Sequence, residues 1–221
     1  MGHDGPGHVN GWGDCARVAR IADQRDPTWT VLLIGGASGT GKTRLSYPLA
    51  RHFGVPIVEV DDIVEALLVM TTPDQQPALH HWATHPEAAQ LPPEAILQIH
   101  LVVTEALGPA LAAVVANHLE TDTRVIVEGD YLTPAFAARE RFLEASADGR
   151  VAAVFLHEPD VDQLVSNFSG REAGEGEQRI RARVSALYGE WLAAQSGVPL
   201  VLARPWSSLQ RRVLAVIGPS P

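Results

Sequence analysis

The sequence holds seventeen formal cations among 221 residues, and Lys42 is the one lysine; the rest are arginine. Lys42 lies in Gly36-Ala37-Ser38-Gly39-Thr40-Gly41-Lys42-Thr43, which has the spacing G-x-x-x-x-G-K-[ST] of a phosphate-binding (Walker A) loop. Glycines so spaced let the backbone turn several N–H groups inward around an anion. A helix starting at the loop adds the positive end of its dipole. Lys42 supplies a point charge for the β- and γ-phosphates, and the Thr43 hydroxyl is a ligand for Mg²⁺. Surface cations are elsewhere guanidinium, so the retained ammonium points to a cradle that a planar fork does not fit. Gly36 to Thr43 are therefore the candidate nucleotide-binding residues.

Phosphate loops serve switches and motors as well as kinases. A kinase also needs a group that takes the proton of an acceptor hydroxyl. In "VEVDDIVEALL", Asp61 and Asp62 end an apolar run. Asp62 and Glu65 have the spacing of an acidic capping box, which leaves Asp61 to face the loop as general base; both aspartates as caps is the alternative. In "RVIVEGDYLTP", Glu128 ends a second run, placed to orient Mg²⁺ or its water shell, or else is a plain strand-end charge. Asp130 and Tyr131 follow, in position to meet an acceptor.

Further candidates lie downstream and between. "NFSGREAGEGEQRIRARV" places Arg171 among glycines and Arg179, Arg181 and Arg183 on a helix. Arg171 and Arg179 are the candidates to close on a transferring phosphoryl group; a solvated helix with Glu172, Glu175 and Glu177 pairing the arginines is the alternative. Trp206, after Arg204-Pro205, either flanks an adenine or packs in the core. Residues 71–93 carry His80, His81, Trp82 and His85. The spacing H-H-x-x-x-H has no nearby carboxylate partner, which disfavours a metal and leaves His80 as an acceptor contact or part of a plain loop. Arg139 and Arg141 meet an anionic acceptor or decorate a helix. Asp61, Asp62, His80, Asp130, Tyr131 and Arg139 make up the acceptor set.

These groups need a scaffold. "TVLLI" (30–34), "VPIVEV" (55–60), "RVIVEG" (124–129), "VAAVFL" (151–156) and "VPLVLA" (198–203) read as buried strands. Helical patterns fall at 43–53, after 60, at 94–118, at 134–145, from about 160, and at 207–217. Alternating strands and helices mean an α/β domain with an open, mostly parallel sheet covered on both faces. Its ligands bind along the edge formed by the C-terminal ends of the strands. Residues 1–13 read as a mobile leader and 14–221 as one domain, with an acceptor-binding insertion at about 70–95 and a lid at about 168–184.

A net charge of −9 and a pI near 5.4 argue against unaided nucleic-acid binding. The one cysteine, Cys15, excludes an internal disulfide framework and a cysteine-built zinc site. No uninterrupted apolar run reaches the roughly 20 residues that span a bilayer, and the start lacks a signal-peptide pattern. A cytoplasmic protein without a membrane partner is the expectation.

"LIGGASGTGKT", "VDDI" and "VIVEGDYLTP" together resemble the 2-phosphoglycerate kinase-like and chloramphenicol phosphotransferase-like group of P-loop kinases, within the adenylate kinase-like fold. The resemblance covers roughly residues 30–134. It implies a three-layer P-loop NTPase fold with a five-stranded parallel sheet in order 2-3-1-4-5, ATP with Mg²⁺, a mobile lid, and Asp61 as base. Asp130 departs from the pattern, where an uncharged residue is expected. The reading that follows is an ATP-dependent phosphotransferase acting on a hydroxyl of a small metabolite or natural product. A nucleoside or nucleotide kinase is one alternative; an ATP-binding regulator or ATPase without an acceptor is another. Oligomeric state stays open, a homodimer being one option.

Overall fold

The computed structural model describes residues 27–169, 175–195, 197 and 199–218. The expected leader, Cys15 and Arg171 lie outside them.

The first strand, β1 (Val31–Gly36), is buried at all six positions, as its unbroken apolar run requires of a central parallel strand. After the glycine loop come α1 (Lys42–Phe53), β2 (Ile57–Glu59) and α2 (Val60–Met70). A short helix α3 (His81–Thr84) and a 3₁₀ turn at Pro86–Gln90 lead to the long α4 (Pro93–Thr121) and then β3 (Val125–Glu128). Next are α5 (Pro134–Ala137), the two-residue strands β4 (Arg141–Phe142) and β5 (Ala145–Ser146), and β6 (Val151–His157). The chain continues with α6 (Val161–Ser169), α7 (Glu175–Ala193), β7 (Leu200–Leu202) and α8 (Trp206–Ile217). The main sheet runs β2-β3-β1-β6-β7 with every pairing parallel. Counted over its own strands, this is the order 2-3-1-4-5.

Side-chain alternation along β1 divides the core into two layers. Val31 and Leu33 face a cluster built with Leu107, Leu111 and Val115 of α4 and Leu192 of α7. Leu32 and Ile34 face the other side, with Leu45 and Leu49 of α1 and Leu209 and Val213 of α8. By length and hydropathy α4 is apolar enough to cross a membrane, although Gln98, His100, Thr104 and Glu105 break its apolar run. Its apolar stripe from Leu97 to Leu119 is nonetheless buried within the fold.

Two local expectations are corrected. The helix expected over 134–145 is one turn, capped by the Thr133 hydroxyl, which accepts the Phe136 N–H at 3.2 Å. The chain then reverses through Leu143 at φ 50° into an antiparallel hairpin, because Phe142 is fully buried against Phe136. The acidic capping box at Asp62 is also absent. Val60, fully buried, is already the first helical residue, so Glu59 holds the cap position without a side-chain bond, and Asp61 and Asp62 lie inside the first turn.

Leu107 is fully buried where α4 meets the sheet. Leu107→Ala is expected to lower unfolding free energy by about 2–5 kcal/mol. Urea denaturation measures this; a loss under about 1 kcal/mol would place Leu107 outside the rigid core.

Candidate active site

The loop between β1 and α1 takes a path that glycine permits. Gly41 has φ 87° and its added Cβ would collide with the Trp206 indole; Gly39 has φ 78°, and a Cβ there would come within 2.9 Å of the Phe168 ring. The Thr40 hydroxyl donates to the Ala37 carbonyl at 2.8 Å, folding the loop on itself. Because α1 begins at Lys42, its first-turn N–H groups lack intrahelical partners and add to the loop's anion-binding amides.

Lys42 is buried, with 7% of its surface exposed. Its ammonium donates to the Ala37 carbonyl at 3.1 Å and forms an ion pair with Asp130. The Thr43 hydroxyl donates to Glu128 Oε1 at 2.8 Å. Glu128 is buried and its Oε2 has no hydrogen-bond partner. Burial pushes its carboxyl above the ordinary range, and the Lys42 charge and the Thr43 bond pull it only partly back. Strand register sets Glu59 beside Glu128, and the Tyr47 hydroxyl donates to Glu59 at 2.8 Å.

Asp61 shares a cleft of about 70 Å³ with Ser38, Lys42, Thr43, Glu128 and Asp130. Loss of water raises its pKa, the charge of Asp130 adds to the rise, and Lys42 opposes it. A buried carboxylate oxygen without a protein partner, next to a hydroxyl, suits a Mg²⁺ that takes waters and substrate phosphates as its other ligands. Thr43 and Glu128 fit that requirement. Among the described residues, no group of three His, Cys, Asp or Glu side chains converges as a metal cage.

A second cleft, of about 400 Å³, adjoins the first and shares Ser38 and Asp130 with it. His100 of α4 lines it, stacked on Tyr131 at 4.8 Å and against the edge of Tyr188 at 4.9 Å. Burial lowers the His100 pKa, keeping the ring neutral near pH 7. The same burial pushes Tyr131 up to about 12 and Tyr188 higher still. The Tyr188 hydroxyl donates to the Asp130 carbonyl at 2.9 Å, so this aromatic column fixes the backbone that aims Asp130 at Lys42.

Other sequence candidates stand elsewhere. Asp62 lines neither cleft. His80 is buried at the junction of α2 and α3, with its Nε2 3.0 Å from the Thr71 hydroxyl, which itself donates to Leu67. Arg139 is exposed over the Phe136 ring, and Arg141 pairs with Glu144 in the hairpin. Arg179 points away from the clefts, 3.7 Å from Asp162. Arg181, two residues on, lines the larger cleft, its guanidinium 5.1 Å from the Phe168 ring centre. Successive helical residues rotate by about 100°, so positions two apart face nearly opposite ways. Trp206 lies against Gly41, and the guanidinium groups of Arg44 and Arg204 lie over its ring at 4.8 Å and 5.5 Å.

Glu59 and His100 are cleft residues that the sequence did not single out, and Trp82 and Arg181, named there beside their neighbours, line the larger cleft where His80 and Arg179 do not. The phase of Glu177, Arg181 and Val184 along α7 was the available signal for preferring Arg181 to Arg179.

No protein-family profile matches this chain, and no curated protein matches it. Solved structures do. A sugar kinase from Janibacter sp. HTCC2649 superposes with a TM-score of 0.53 at 18% identity, over 86% of this chain and 96% of that one. TT1252 from Thermus thermophilus gives 0.52 at 17% identity, over 85% and 95%. At these identities the likeness is one of fold: the chain has the three-layer α/β architecture of those proteins over nearly their whole length.

The buried Glu128, with its Oε2 unpartnered, carries a stability consequence. A carboxyl whose folded pKa is raised favours the folded state while protonated, and that contribution is lost as pH rises through the folded pKa. Glu128→Gln, which keeps an oxygen for Thr43, is therefore expected to raise the melting temperature of the ligand-free protein at pH 7, by about 2–4 °C per kcal/mol relieved. The gain should vanish toward pH 4. Calorimetric scans at both pH values measure it; equal or lower stability at pH 7 would refute the strained-carboxylate reading.

Proposed function

We propose that this chain is an ATP-dependent phosphotransferase that moves the γ-phosphoryl group of ATP to a hydroxyl of a small metabolite or natural product. The observation that carries this reading is the shared wall of the two clefts. Asp130 and Ser38 face a phosphate-sized site on one side and a cleft of about 400 Å³ on the other, and Asp61 lines the first. A nucleotide switch needs the first site and has no use for the second. The overall likeness to a sugar kinase agrees with this division of labour.

In the proposed reaction, the loop amides and Lys42 hold the β- and γ-phosphates of ATP. Arrival of the phosphates gives the Lys42 ammonium a second anionic partner and loosens its pairing with Asp130. Thr43 and Glu128 would hold Mg²⁺, which when bound neutralises charge on the phosphate oxygens. Asp61 accepts the proton of the attacking hydroxyl. Its pKa, raised first by loss of water and then by the Asp130 charge, makes it a stronger base than an ordinary carboxylate. The acceptor oxygen forms a bond to the γ-phosphorus, the bond from that phosphorus to the β,γ-bridging oxygen breaks, and ADP leaves with the electron pair.

Arg181 is placed to add positive charge beside the transferred group. Arg171 shares that candidacy from outside the described residues, whereas Arg179 would need α7 to turn. Trp206 would bear on the nucleotide through its contact with Gly41.

Asp61→Asn tests the assignment. Mg·ATP binding, followed by calorimetry, should persist, while phosphoryl transfer falls by roughly 10²–10⁴-fold, the range for losing a general base. Transfer at the parent rate would remove Asp61 from the chemistry.

A further inference from the structure

The larger cleft carries information about what it receives. Its walls are Trp82, Ile96, Phe168, Ile180 and Val184, an apolar surface with two aromatic rings. Its acidic groups are Asp130 and Glu177. Its positive charge is already engaged among the described residues. Arg181 lies on the Phe168 ring and in the phosphotransfer reading serves the transferred phosphoryl group, and Lys42, at the boundary, is paired with Asp130. His100 adds no charge, because burial keeps its ring neutral near pH 7.

Carboxylate and phosphate groups are recognised by guanidinium forks or clusters of N–H donors. Among the described residues this cleft instead sets two carboxylates, Asp130 and Glu177, against the one guanidinium of Arg181, and much of the remaining lining is hydrocarbon. Aromatic and branched aliphatic walls favour flat or alicyclic rings, whose burial needs no polar partner.

Resting on the phosphotransferase reading above, we infer that the acceptor is a ring-bearing alcohol without an anionic group, docked in the cleft lined by Trp82 and Phe168 with its hydroxyl toward Asp130. Ser38 and Asp130 line both clefts, so a hydroxyl at that boundary borders the phosphate loop, as in-line attack on a bound γ-phosphate demands. A protonated amine on the acceptor is compatible with Glu177, whereas a sugar acid or phosphate ester places its charge against Asp130 or Glu177.

Titration calorimetry on the nucleotide-free chain tests the inference with three probes: 1-phenyl-1,2-ethanediol, 2-amino-1-phenylethanol and gluconate. The two aryl alcohols should bind and gluconate should not. Trp82→Ala, checked by its thermal melt to be folded, should weaken aryl-alcohol binding roughly tenfold or more, as loss of an aromatic wall does at such sites. Gluconate binding in preference to the aryl alcohols would overturn the inference, and so would aryl-alcohol binding that ignores Trp82→Ala or no heat from either aryl alcohol at millimolar concentration. Adding Mg·ATP separates the two readings. Aryl alcohols that bind without being phosphorylated uphold the cleft assignment while counting against phosphotransfer; transfer to gluconate alone does the reverse.

Discussion

A buried ammonium dictates much of this site. Lys42 is almost out of reach of water, and a charge there is tolerable only with a counter-charge and hydrogen bonds. Asp130 supplies the first and the Ala37 carbonyl the second. Asp130 is itself held from behind, since its carbonyl accepts the Tyr188 hydroxyl and Tyr188 packs against His100, which stacks on Tyr131. One long-range chain of contacts therefore runs from the helix layer of α4 and α7, through the loop after β3, to the phosphate loop. The pair keeps the lysine turned inward.

The same cleft carries more negative charge than that ammonium balances. Glu59, Asp61, Glu128 and Asp130 line it together. The raised pKa values of Asp61 and Glu128 express their loss of water first and this crowding second. Parallel strand register is the structural cause: it sets Glu59 directly beside Glu128, and the crossover to α2 brings Asp61 alongside. Such an arrangement opposes stability in the ligand-free chain and is explained by a cation and a polyphosphate that share the site in use.

The parts of the site visible in the sequence are those fixed by local backbone rules. The glycine loop, the buried strands and the strand-end acids were legible because sheet edge and loop geometry follow from short patterns, as with Gly41 at its positive φ and Glu128 at the end of β3. The strand order was not in the pattern; it came with the family resemblance. What escaped depends on rotation or on distant packing. Arg179 and Arg181 look equivalent in a charge run, and the docking of α7 against α6 turns one to Asp162 and the other into the cleft. His80 looked available in a polar stretch, yet it binds Thr71, while His100 lay unnoticed inside a long helix. The hairpin at 141–146 replaced a helix because Phe142 finds its burial against Phe136, a contact that helical periodicity does not disclose.

A chain with one lysine gives one lysine signal, so nuclear magnetic resonance of protein labelled with ¹⁵N at lysine Nζ observes Lys42 alone. Titration with Mg²⁺ and a non-hydrolysable ATP analogue should shift that resonance to a saturable end point as the ammonium takes the phosphates in place of its bond to Asp130. A resonance unmoved at saturating analogue would contradict the triphosphate cradle, and the proposed phosphotransfer with it.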